Sequence, residues 1–67
     1  MPKRYSSLQV ERSLLKNGFW FVSQSGSHKK FTNGQRVVIV PANRSEMPLG
    51  TLASILRQSG LDRSDLS

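Results

Sequence analysis

The longest uninterrupted apolar runs in the chain are four residues each, Phe19-Trp20-Phe21-Val22 and Val37-Val38-Ile39-Val40. Both are aromatic or β-branched; one follows Gly18 and the other stops at Pro41, which marks them as strands rather than helices. Runs this short fall far below the roughly 20 apolar residues of a membrane span and below a signal-peptide core. The expectation is a soluble, unexported protein of the cytoplasm with no membrane partner. At 67 residues the chain has room for one small domain, expected over residues 1–67, because so short a chain buries only about 60% of its unfolded surface. The absence of cysteine removes disulfide staples, thiolate zinc sites and a Cys nucleophile together.

Patterns between these runs supply the remaining elements. Met1 to Tyr5 reads as a loose lead-in. Ser6 and Gln9 have capping-box spacing, Leu8, Val10, Leu14 and Leu15 give one apolar side, and Gly18 ends a helix of about three turns. Phe19 to Gln24 reads as the first strand, roughly Ser27 to Phe31 as the second, and a third runs through Val40. Pro48 opens a second helix in which Leu49, Leu52, Ile55 and Leu56 share a face until Gly60, and Asp62 to Leu66 reads as one more capped turn. The prediction is an α+β fold in the order α-β-β-β-α, a three-stranded antiparallel sheet with two helices packed on one face and the other face open.

Which side chains occupy the open face depends on register. A two-residue Asn33-Gly34 turn would pair Thr32 with Gln35 and group Phe31 with Arg36, setting a charge beside the largest apolar side chain of its strand. A three-residue Thr32-Asn33-Gly34 loop pairs Phe31 with Gln35 instead and is the preferred reading. It places Phe31, Val37 and Ile39 on the core face, and His28, Lys30, Arg36 and Val38 on the open one.

Ten Lys and Arg against four Asp and Glu leave a formal charge of +6. Arg12, Lys16, Lys29, Lys30, Arg36 and Arg44 stand between Arg12 and Ser45 with no acidic residue among them. A regional excess of this kind favours nucleic acid as partner over a charge run that merely keeps the chain in solution.

His28 is the one histidine, and histidine is the side-chain type best suited to proton transfer near neutral pH. An imidazole among bases could remove the 2′-hydroxyl proton of RNA, with Lys29, Lys30 or Arg36 stabilising charge on the phosphorane-like transition state. From composition alone, a strand-end histidine that simply hydrogen-bonds a neighbour is the commoner case. One histidine and four scattered carboxylates make no metal-ligand pattern, so neither metal nor cofactor is expected. Ser27 beside His28 is no catalytic triad, because adjacent strand residues point to opposite faces. Trp20 could stack on a base if it faces outward, or else pack into the core or a protein interface.

Taken in order, Leu14-Leu15-Lys16-Asn17-Gly18-Phe19, Gly26-Ser27-His28 with Phe31, Val40-Pro41, Gly50-Thr51-Leu52 and Ile55-Leu56-Arg57-Gln58-Ser59-Gly60-Leu61 resemble the HicA toxins. These are mRNA interferases of type II toxin–antitoxin systems. The resemblance, from Leu8 to Leu66, implies a fold like that of double-stranded RNA-binding domains. It also implies metal-free endonucleolytic cleavage of mRNA with His28 as the catalytic residue. Lys29, Lys30, Arg36 and Ser27 are the accompanying RNA-binding candidates. The resemblance further implies a HicB-type antitoxin that masks the histidine, with the toxin a monomer alone and a hetero-oligomer with its antitoxin; Val38 and Trp20 are the candidate contacts. Many HicA toxins carry a second histidine where this chain has Asn43. The rival readings are a noncatalytic RNA-binding module of the same fold and a protein-interaction element for an acidic partner.

Overall fold

The Ser6 hydroxyl accepts from the Gln9 amide at 3.1 Å, while the Gln9 side chain accepts from the Ser6 amide at 2.9 Å. This reciprocal capping box satisfies donors that every helix start leaves orphaned and begins α1, Ser7–Lys16. In the computed structural model, which describes residues 4–66, α1 is followed by β1 (Trp20–Ser25), β2 (His28–Thr32), β3 (Val37–Pro41) and α2 (Leu49–Ser59). A single 3-10 turn at Arg63–Asp65, capped by Asp62, closes the described chain. The α-β-β-β-α order and the antiparallel β1-β2-β3 meander are those expected, with β1 and β2 each beginning one residue later than read. The part of the lead-in before Arg4 lies outside the described residues. Tyr5 does not belong to a loose segment: it is buried, and its carbonyl accepts from the Met47 amide at 2.6 Å.

Both helices pack on one face of the sheet. Val10 and Leu14 of α1, Leu52 and Ile55 of α2, Phe31 of β2, Val38 and Val40 of β3 and the loop residue Met47 form one buried cluster, closed at its ends by Tyr5, Phe19 and Leu66. The helices lie over β2 and β3, and every residue of β1 is exposed. Trp20, Phe21 and Val22 therefore remain about half accessible. Phe21 makes an edge-to-face contact with Phe31 at 5.8 Å between ring centroids.

Two further sequence expectations are corrected. The inward side of α1 consists of Ser7, Val10, Ser13 and Leu14, and Leu8 and Leu15 face out at 55% exposure each. At about 100° of turn per residue, Leu8 and Leu15 share a stripe well away from the Val10–Leu14 line, so hydrophobicity alone grouped the wrong leucines. The two serines can be buried because their hydroxyls donate to carbonyls, Ser7 to Pro41 at 2.6 Å and Ser13 to Gln9 at 2.9 Å.

The second correction is register. Thr32 pairs with Val37 and Phe31 with Val38, leaving a connection over residues 33–36. Asn33 organises it: its Oδ1 accepts from the Gln35 amide at 2.9 Å and the Arg36 amide at 2.7 Å, while Thr32 Oγ1 donates to the Arg36 carbonyl at 2.7 Å. An Asx-type turn thus displaces the shorter loops that Asn33-Gly34 suggested. The partner of Phe31 moves from Gln35 to Val38, an odd shift, so the faces of β3 exchange. Val38 is in the core and is no candidate for a partner contact, Val37 and Ile39 face outward, and Arg36 leaves the strand altogether.

The two leucines at the end of α1 should separate cleanly by urea denaturation followed by circular dichroism. Leu14→Ala, emptying a fully buried position, should cost about 2–5 kcal/mol, enough to unfold much of a domain whose core typically nets about 3–5 kcal/mol. Leu15→Ala should stay within about 0.5 kcal/mol of the parent.

Candidate active site

The sequence Ser25-Gly26-Ser27-His28 closes the β1–β2 hairpin, with Ser25 paired to His28 and Gly26 at φ 58°. Gly26 is the only one of the two turn residues with positive φ, the pattern of a type II′ turn, whose twist matches that of the strands it joins. On its other side His28 pairs with Pro41, and the Ala42 amide donates to the Ser27 carbonyl at 2.6 Å. The backbone of His28 is therefore held by both neighbouring strands.

Since Phe31 faces the core, alternation along β2 puts His28, Lys30 and Thr32 on the opposite face. Their cross-strand partners Pro41, Ile39 and Val37 stand on that face with them, as do Ser25, Ser23 and Trp20 of β1. His28 is exposed and its imidazole makes no hydrogen bond among the described residues. It is not the satisfied strand-end histidine that composition alone favoured.

The ring opens onto a groove of about 300 Å³ lined by His28, Ile39, Pro41, Arg44, Pro48, Thr51 and Gln58. Helix α2 supplies the far wall, because Thr51 and Gln58, two turns apart, lie on one side of it. Gln58 also seals the outer edge of β3, its Oε1 accepting from the Ile39 amide at 3.1 Å. Among the described residues no carboxylate lines the groove.

The cations read from the sequence are dispersed by the fold. Lys30 shares the His28 face and is exposed. Lys29 points to the helix side, where its Nζ lies 3.1 Å from Glu11 Oε1 of α1. It lines a second depression together with Ser6, Ser7, Leu8, Glu11, Asn43, Arg44 and Ser45. Arg36, at the turn end of the sheet, donates to the Gln58 carbonyl at 3.4 Å near the C-terminus of α2, where a cation meets the negative end of the helix. Gly60 makes room for it: a Cβ there would stand 2.9 Å from the Arg36 Cζ, at a φ of 74°. Ser27 sits exposed in the turn beside His28.

Arg44, read only as one of the central bases, is the cation the fold adds to the groove. Its place is set by Ser7, 37 residues away in sequence, a contact that no local pattern reveals. Asn43, at φ 59°, lines the depression around Lys29, so the position where many HicA toxins have histidine does not join His28 in its groove. Among the described residues no three His, Asp or Glu side chains gather into a group able to hold a metal ion, and no helix is long and apolar enough to cross a membrane.

Comparison with protein families matches residues 8–61 to the model of the HicA toxin of bacterial toxin–antitoxin systems. That span runs from the first turn of α1 to the residue after Gly60 and includes the whole sheet. A comparison with curated proteins finds no match.

Gly26 offers a local test of the geometry at His28. Around it nothing lies within 4 Å of an added Cβ, so Gly26→Ala introduces only backbone strain. It should lower stability by about 1–2 kcal/mol in chemical denaturation, with no new clash.

Proposed function

Because the chain belongs to the HicA toxin family, the toxins of bacterial toxin–antitoxin systems, we propose that it is an endoribonuclease that cuts mRNA with His28. It acts as one toxin domain, in the cytoplasm, where its substrate is made. The observation that carries this reading is an exposed imidazole in a groove without carboxylates, on a sheet face it shares with Lys30. A phosphodiester chain meets no like charge there, and basic side chains favour its approach.

The chemistry needs only one proton carrier. His28 takes the proton of a ribose 2′-hydroxyl, the oxygen attacks the adjacent phosphorus, and the P–O5′ bond breaks as the O2′–P bond forms. The imidazolium then returns the proton to the departing 5′-oxygen. Lys30 and Ser27 hold neighbouring backbone and Arg36 at the other end of the sheet contributes to the field, while Lys29, paired with Glu11, adds no net charge. Phosphate contacts of this kind carry no sequence information, so cleavage is expected to have low sequence specificity.

Family membership implies an antitoxin partner. In this reading the partner is of HicB type and covers the open face, using Trp20, which is 51% exposed, as an anchor in place of the buried Val38. Aromatic side chains of this size dominate interface energetics. Trp20→Ser should therefore weaken the complex at least tenfold by titration calorimetry while leaving RNA cleavage by the free toxin intact.

The nuclease assignment is tested by cleavage of a long RNA in EDTA. The parent protein should cut with chelator present, and His28→Ala should be slower by about 10²–10⁴-fold, the usual worth of a general acid–base group. Equal cutting by both would remove His28 from the chemistry. Salt-dependent binding that leaves the RNA whole would establish the noncatalytic module instead. In growing cells, the parent should arrest growth and His28→Ala should not.

A further inference from the structure

We propose that Arg44 is the phosphate-binding residue of the His28 groove, donating to the oxygens of the phosphate that is cut. This rests on the nuclease reading above and adds to it a residue that neither the sequence pattern nor the family match assigns. Arg44 and His28 both line this groove, and Arg44 also borders the neighbouring depression that holds Lys29 and Glu11. The guanidinium has no hydrogen-bond or ion-pair partner among the described residues. Of the other candidates, Lys29 is paired with Glu11 behind the sheet, Arg36 rests on the C-terminal end of α2, and Lys30 is exposed on the His28 face.

The side chain of Arg44 is free, but its backbone is not. The Ser7 amide donates to the Arg44 carbonyl at 2.8 Å, and the Arg44 amide donates to Ser7 Oγ at 3.0 Å. The same hydroxyl donates to the Pro41 carbonyl at 2.6 Å, tying both ends of the turn over residues 41–44 to the first residue of α1. Ser7 itself is 3% exposed, so this clamp is protected from water. A fixed backbone carrying an unpaired guanidinium is suited to grip a tetrahedral anion, since the planar fork can donate to two oxygens at once. Lys30, a point charge on a flexible stem, provides attraction without that geometry.

The test is cleavage of a short RNA by Arg44→Gln, with Arg57→Gln as a control that removes the same unit of charge from an exposed position on α2 outside the groove. Arg44→Gln should reduce kcat by about 10²–10³-fold, as loss of one donor to a developing oxyanion does. It should also lower the slope of log Kd against log salt by about one unit. Arg57→Gln should leave kcat unchanged. Arg44→Lys should restore the salt slope but recover only part of kcat. Circular dichroism would confirm that each variant is folded. Full cutting by Arg44→Gln beside an active parent overturns the proposal and leaves the His28 reading standing. Weaker binding at unchanged kcat also overturns it, since Arg44 would then touch backbone away from the cut. A parent that leaves the RNA intact overturns both.

Discussion

The pairing of Thr32 with Val37 decides what each face of this sheet can do. A strand has only two sides, so an odd displacement of β3 would drive Val37 and Ile39 inward and turn Val38 and Val40 out to water. The observed register puts the two fully buried valines against Leu14, Leu52 and Ile55 and leaves Ile39 and Pro41 as the floor of the His28 groove. Asn33 holds that register through its two hydrogen bonds to the 33–36 turn. One short polar side chain at the far end of the hairpin thus sets the composition of the groove at the other end.

From this register follows a division of labour in the molecule. The face bearing Phe31, Val38 and Val40 supplies the apolar burial on which a chain of this size depends. Its opposite supplies exposed groups. Lys29 shows the division most plainly, because its place in β2 turns it inward, where an unpaired ammonium would be costly. Glu11 meets it there at 3.1 Å, and the pair stays partly exposed, a setting in which ion pairs contribute little net stability. Its effect is to keep one acidic and one basic group out of the His28 groove. The edges are divided in the same way. Helix α2 and Gln58 cover the outer edge of β3, while β1 keeps its free edge and its half-exposed Trp20, Phe21 and Val22.

The elements were legible wherever one local signal set them: the Ser6/Gln9 box, the Gly60 stop and the Asp62 cap each act within a few residues. The outward placement of His28 was legible for a similar reason. It depends only on alternation from Phe31 within β2, whatever the register of β3. The face of β3 was not legible, since Asn33-Gly34 is compatible with several loop lengths and the choice is made by side-chain bonds from Thr32 and Asn33. Leu8 and Leu15 misled because serines took the inward positions, which becomes affordable only when distant carbonyls accept their protons. Arg44 was invisible as a groove residue because its placement needs Ser7, 37 residues away in sequence.

Ser7 joins the start of α1 to the turn that follows β3. Its position in α1 makes it part of the helix face that docks on the core, and its hydroxyl and amide together fix the turn after β3. The groove therefore draws on α1 as well as on α2: without that helix the turn over residues 41–44 would lose the hydrogen bonds that fix the backbone of Arg44. Packing of α1 and the position of Arg44 beside His28 thus share one set of hydrogen bonds. In a domain with so small a core, stability and the shape of the groove are drawn from the same few contacts.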